Sequence, residues 1–220
     1  MNVKERPILF SGAAVKATLA GLKTQFRRPL NPQPSIDAAG NLCWNGINFG
    51  QDMSGRPNWS TLESQLPRGR TGRVHCPFGK VGERLWVRES FADLRGTGIE
   101  HRPDPSGPIK RFAFAADTPA GSRADAARKD YGVKWRPSVH MPREACRLIL
   151  EITGVRIERL QQISDTDALA EGIQELNGRF THNGGLTESR SPVAAFARQW
   201  DDAGGAWVSN PWVWVVEYKQ

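Results

Sequence analysis

The sequence predicts a mixed α+β domain built around a curled, mostly antiparallel sheet or small β-barrel flanked by short helices. Three observations lead there. The elements read from the pattern run strand, helix, several strands, helix, helix, strand, with hairpin-like connections and few βαβ units. At 220 residues the chain can bury roughly 70% of its unfolded surface in one core. Two Pro- and Gly-rich stretches, at about 31–73 and 93–130, then read as insertions into a single domain covering 1–220.

The first element is a short strand over Pro7 to Phe10. A helix with Ser11 as N-cap follows, in which Val15, Leu19 and Leu22 recur at helical spacing and Gly21 is the stop signal. Pro29 excludes further helix near Arg28, so the cluster Lys23, Thr24, Arg27, Arg28 lies on a helix-to-strand transition. Residues 29–80 spend Trp44, Phe49 and Trp59 among Pro, Gly, Asn and Ser. That composition predicts an ordered insertion with little regular structure.

"RLWVRESFA" (84–92) is a strand with Leu85, Val87 and Glu89 on one face, and "RFAFAA" (111–116) is a shorter one. "CRLILEITGVRIERL" (146–160) is the strongest strand signal, bent or bulged at Gly154. Ser164 caps a short helix that ends at Gly172. Ser191 and Pro192 open another, with Val193, Phe196, Ala197 and Trp200 on one face. "PWVWVVEYK" is the closing strand.

Charge is distributed unevenly. Residues 1–150 hold 24 Lys and Arg against 13 Asp and Glu, whereas 151–220 hold 6 against 10. The excess in the first part favours an anionic partner, RNA or a nucleotide, unless it serves solubility alone. No apolar run approaches the ~18 residues of a membrane span, so no membrane partner is expected. "MNVKERPILF" has charges but no apolar h-region, which predicts a cytoplasmic protein without a secretory signal. Cys43, Cys76 and Cys146 form no CxxC pair, and His75 and His140 match no zinc spacing. Reduced thiols, no metal and no cofactor are expected.

Four segments in order, "TLAGLKTQFRR" (18–28), "VGERLWVRES" (81–90), "LEITGVRIERLQQISDTDALAEGI" (150–173) and "NPWVWVVEYK" (210–219), resemble the ASCH domain of the PUA-like superfamily. "CPFG" (76–79) and "KWRPSVHMPR" (134–143) bring the chain nearest the longer phage and prophage versions. The resemblance implies a small β-barrel with a cleft for RNA, a nucleotide or a modified base. Compact bacterial members include amidohydrolases acting on N4-acetylcytidine. They use a Lys at the helix end as base, a Thr three residues on as nucleophile and a later Glu as proton donor. By position the Lys matches Lys23 and the Glu matches Glu171. The Thr position holds Phe26.

A lysine needs desolvation or neighbouring cations to act as a base at neutral pH, which Arg27 and Arg28 could supply; otherwise Lys23 merely neutralises a helix C-terminus. Thr24 is a candidate substitute hydroxyl, although an extended chain sets it roughly 6.5 Å from position 26. Phe26 beside Arg27 and Arg28 can stack on a base while the guanidinium groups hold phosphate; core packing is its alternative. Lys134, Trp135, Arg136, His140 and Arg143 alternate cation and aromatic in a Pro-limited extended segment suited to a single strand or a nucleotide; a strand edge that packs Trp135 and exposes its charges is the alternative. "RGRTGR" (68–73) is a candidate phosphate-contacting arm, and Glu89 is a second carboxylate or an arginine partner.

The first expectation is therefore an RNA- or nucleotide-binding protein with a basic cleft. The alternatives are a hydrolase, either an amidohydrolase or a nuclease, using Lys23 and Glu171, and a protein-interaction module using the Trp-bearing insertion.

Overall fold

The computed structural model describes residues 3–59, 75–97, 111–182, 184 and 186–220. The arm at 68–73 lies outside them, as do parts of both insertions. The early elements are β1 (Glu5–Leu9), α1 (Gly12–Leu19), β2 (Gln25–Pro29), β3 (Ser35–Ile36), β4 (Leu42–Trp44) and β5 (Ile47–Gly50). Next come β6 (Arg84–Arg88), β7 (Phe91–Asp93), β8 (Phe112–Phe114), α2 (Arg123–Asp130) and β9 (Ile149–Arg159). The last are α3 (Asp165–Ala170), β10 (Gln174–Leu176), β11 (Arg179–Thr181), α4 (Pro192–Asp202) and β12 (Trp212–Lys219). This is an α+β protein in which every strand ladder with a defined register is antiparallel, and the described ladders do not close into a barrel. The chain divides into two compact units.

The first unit comprises Met1–Lys4, Leu22–Arg84 and Glu151–Lys219. Its central strand is β12, flanked by β9 and β2, and the ladder register decides what shares a face. Val215 lies between Arg27 and Arg156, Val213 opposite Glu158, and Glu217 opposite both Gln25 and Gly154. Because side chains alternate along a strand, Gln25, Arg27, Val213, Val215, Arg156 and Glu158 point to one side. Phe26, Trp212, Trp214 and Ile157 point to the other.

Helices α3 and α4 cover the first side, where Val213 and Val215 pack with Leu160, Ile163, Ala168, Ile173, Ala195 and Phe196. Ser164 and Ser191 cap these helices as expected, each accepting from a backbone N–H three residues on. At Gly154 a Cβ would fall 2.5 Å from Glu217 Oε2, so the bare backbone leaves room for that side chain. The ladder shifts register immediately beyond Glu217.

On the other side lies the stretch expected to lack regular structure. It contains the β3-β4-β5 meander, turned at Asn45-Gly46, with both residues at positive φ. Trp44 is buried near Trp214, and the Trp59 ring stacks on Trp212 at 4.5 Å. Trp44 is therefore core, and Trp59 is half-buried against Trp212.

The second unit comprises Glu5–Gly21, Leu85–Leu150 and Gln220. Here β1 lies beside β6, and β7 pairs with β8. Leu85, Val87 and Glu89 are all buried, as the alternation predicts. In α1 the buried residues are Val15 and Thr18, while Leu19 is exposed, as is Leu22 beyond the helix; the apolar periodicity overestimated that face. Helix α2, within a stretch read as loop, is capped by Ser122 and held by Asp125 with Arg128 and Lys129.

Candidate functional site

Lys23 and Glu171, 148 residues apart, are in direct contact. Gly21, at φ +72°, ends the turn after α1, and the chain then passes the C-terminal end of α3. There Lys23 forms an isolated antiparallel bridge with Glu171, and Thr24 N–H donates to the Ala170 carbonyl at 2.8 Å. Lys23 Nζ donates to Glu171 Oε2 at 2.6 Å and to the Glu171 carbonyl at 2.8 Å. Glu171 is the C-cap of α3, so this ammonium satisfies a helix C-terminus, but of a later helix than the one it follows. Both residues are buried, with 7% and 4% of their surface exposed.

Arg27 supplies the other half of the grip on Glu171. Its Nη1 donates to Glu171 Oε1 at 3.0 Å, so each oxygen of that carboxylate accepts from a different cation. Nη2 reaches Glu158 Oε1 at 2.5 Å and Asp167 Oδ2 at 3.3 Å. Arg156, across β12, donates to Glu158 Oε2 and to Asp167 Oδ1, each at 3.0 Å, and pairs with Glu217. Gln25 Nε2 adds a bond to the Asp167 carbonyl at 2.6 Å. An apolar floor lies beneath: the Arg27 guanidinium sits 5.7 Å from the centre of the Phe196 ring.

Burial is the main influence on the titration of Lys23, pulling its amine below the ordinary value of 10.5 against the opposing pull of Glu171. Arg28 and Arg27 depress it further, as expected from the sequence, but by less than burial does. Arg28 is likewise lowered by burial. For Asp167, burial raises the carboxyl, but Arg156 and Arg27 outweigh it and the net shift is downward.

Two expectations require correction. Phe26 is 1% exposed, edge-on to Phe78 at 5.3 Å and beside Tyr218, so its ring is core and offers no face for stacking a base. The site is also not a basic cleft. Its four cations, Lys23, Arg27, Arg28 and Arg156, meet four carboxylates, Glu158, Asp167, Glu171 and Glu217, so the charge that would hold phosphate is already balanced. Arg28 is half-buried, lies over the Phe26 ring at 5.5 Å and donates to the Arg27 carbonyl. Thr24 is exposed and its backbone is tied to Ala170 and Tyr218.

The second candidate surface belongs to the second unit. Trp135 is half-buried against Ala92, Leu94 and Val133, with the Arg128 guanidinium 4.9 Å over its ring. Arg136 is exposed and its backbone bridges Phe91; His140 is exposed in a 3-10 turn. Arg143 pairs with Glu5 at 3.0 Å and lies near the Trp86 ring. Glu89 is an arginine partner, as its simpler reading held: both its oxygens accept from Arg147, at 2.8 and 3.0 Å.

Sequence reasoning missed Glu158, Arg156 and Asp167. Their signal was present: Arg156 and Glu158 alternate with the buried Ile157 on a strand, and Asp167 lies one helical turn before Glu171. No family model matches the chain, and neither the curated proteins nor the solved structures yield a match.

Proposed function

We propose that this chain is an ASCH-type protein of the PUA-like superfamily, of the longer phage or prophage kind, which binds RNA or a nucleotide and recognises a nucleobase at the Lys23–Glu171 pair. On this reading the β9-β12-β2 sheet is part of the family's small barrel, and the protein works in the cytoplasm. One observation carries the proposal. The two residues that the resemblance singles out, from opposite ends of the sequence, form a buried ion pair with a shared backbone bridge. Charge matching within the network favours a base over a phosphate as the group recognised there. A nucleobase edge exchanges neutral hydrogen bonds with such a site, whereas a phosphate would have to displace Glu171 or Glu158 from a guanidinium.

The test is fluorescence anisotropy with a labelled single-stranded RNA, in competition with nucleosides and nucleotides, on the wild type and Lys23→Met. Support is binding that free nucleosides and nucleotides compete away and that is lost in a folded Lys23→Met protein. Equal binding by the variant, or none by the wild type to RNA, nucleotide or nucleoside, would sink it.

A hydrolase is the second reading, favoured by the lowered titration of Lys23. With Phe26 at the position of the family's nucleophile, Lys23 would take a proton from water. The hydroxide so formed would add to the acyl carbon of an N4-acylated cytidine, and the proton would pass from Lys23 to Glu171, 2.6 Å away, and on to the leaving amine as the C–N bond breaks. Cytidine and acetate formed from N4-acetylcytidine, and lost in Lys23→Met, are the expected products. Their absence with the wild-type protein removes this reading.

A further inference from the structure

Seven ionic groups of the first unit form a closed ring with two extensions. Glu158 gives one oxygen to Arg27 and the other to Arg156, and Asp167 does the same, so two guanidinium groups and two carboxylates alternate around a circuit. Glu171 and then Lys23 extend from the Arg27 corner, and Glu217 from the Arg156 corner. Side-chain exposure rises along this path, from 0% at Arg27 to 45% at Glu217. The register explains the spacing. Arg27 and Arg156 both lie opposite Val215, one on each side of β12, roughly 10 Å apart, and neither touches the other except through the shared acids.

We infer that Arg156 is a positioning residue for the Lys23–Glu171 pair, acting through Glu158 and Asp167 on Arg27. The guanidinium of Arg27 is planar, and its donors are fixed relative to one another. Once Nη2 is committed to Glu158 and Asp167, the direction of Nη1 toward Glu171 Oε1 is set. Without Arg156, Glu158 Oε2 loses its donor and Asp167 Oδ1 keeps only the Gln25 amide at 3.2 Å, both in partly covered positions. Those oxygens then compete with Glu171 for the Arg27 fork. Glu171 turns its charge more fully onto Lys23, and the protonated form of Lys23 is favoured. The charged groups that act on Lys23 are Glu171, Arg28 and Arg27. Arg156 can therefore reach it through geometry by way of Arg27, or through plain charge.

A substitution that keeps the charge separates these routes. The functional consequence rests on the proposed role of the pair, but the structural claim is read without any ligand, by following the Lys23 Cε resonance against pH in the full chain. Arg156→Gln and Arg156→Lys are both expected to raise its midpoint by about 0.5 to 1 pH unit, because a lysine cannot hold the three carboxylates at once. A shift in Arg156→Gln alone would mean unspecific Coulomb influence and overturn the inference, as would no shift in either. Should Arg156→Gln not fold, Arg156→Lys decides alone. RNA and nucleoside binding by the wild type is measured in parallel. Its failure would end the functional reading while leaving the titration to judge Arg156.

Discussion

Replacing Glu171 with Gln keeps the side chain's shape and removes the charge on which two cations converge. Taking one partner from a buried ion pair typically costs about 3–5 kcal/mol, because the other is left charged in a poor solvent. Lys23 sets a second, independent bound, since a buried ammonium can always escape by releasing its proton. From an ordinary value of 10.5, that release costs about 5 kcal/mol at pH 7 and about 2 kcal/mol at pH 9. Arg27 keeps Glu158 and Asp167, so Lys23 carries most of the penalty.

The direction with pH follows from linkage. Burial holds Lys23 lower in the folded than in the unfolded protein, so the unfolded chain binds the proton more tightly and stability rises with pH up to the unfolded value. Glu171 opposes that depression, and removing it steepens the rise. Urea unfolding followed by tryptophan fluorescence at pH 7, 8 and 9 should show Glu171→Gln destabilised by several kcal/mol at pH 7, narrowing toward pH 9. A penalty at pH 7 no larger than the roughly 0.5 kcal/mol of an ordinary surface change, or one that does not narrow, would refute the reasoning.

Phe26→Thr, which restores the hydroxyl of the amidohydrolase pattern, should cost about 3–5 kcal/mol, because it empties a packed position between Phe78 and Tyr218. An unchanged thermal midpoint would show that the ring is not core. In the second unit, Arg147→Met strands Glu89, which is 1% exposed, and is expected to cost about 3–5 kcal/mol in urea unfolding. Asp117→Asn removes the exposed partner of the same arginine and should cost less than about 1 kcal/mol; equal effects would contradict the assigned burial.

Much of the local structure was legible because it depends on near neighbours. Ser11, Ser164 and Ser191 cap helices where the pattern placed them, and the bend at Gly154 coincides with a register shift on β12. The Asn45-Gly46 and Asn177-Gly178 pairs were equally local and mark the turns of two hairpins, yet the Pro and Gly around the first obscured the meander. Leu19 and Leu22 misled because helical spacing shows which residues share a face but not whether anything covers it.

Taken alone, the sequence determined that this is an α+β protein with antiparallel strands, and it marked Lys23 and Glu171 as a pair worth testing. Tertiary structure decided everything that depends on distance through space. The register of β2, β12 and β9 set Arg27 and Arg156 on one face, the packing of α3 brought Asp167 and Glu171 over it, and burial turned Phe26 from a stacking surface into core. An excess of positive charge counts residues without their partners. In a folded chain, charge is matched contact by contact, so a segment rich in cations can form a site whose charge is already balanced.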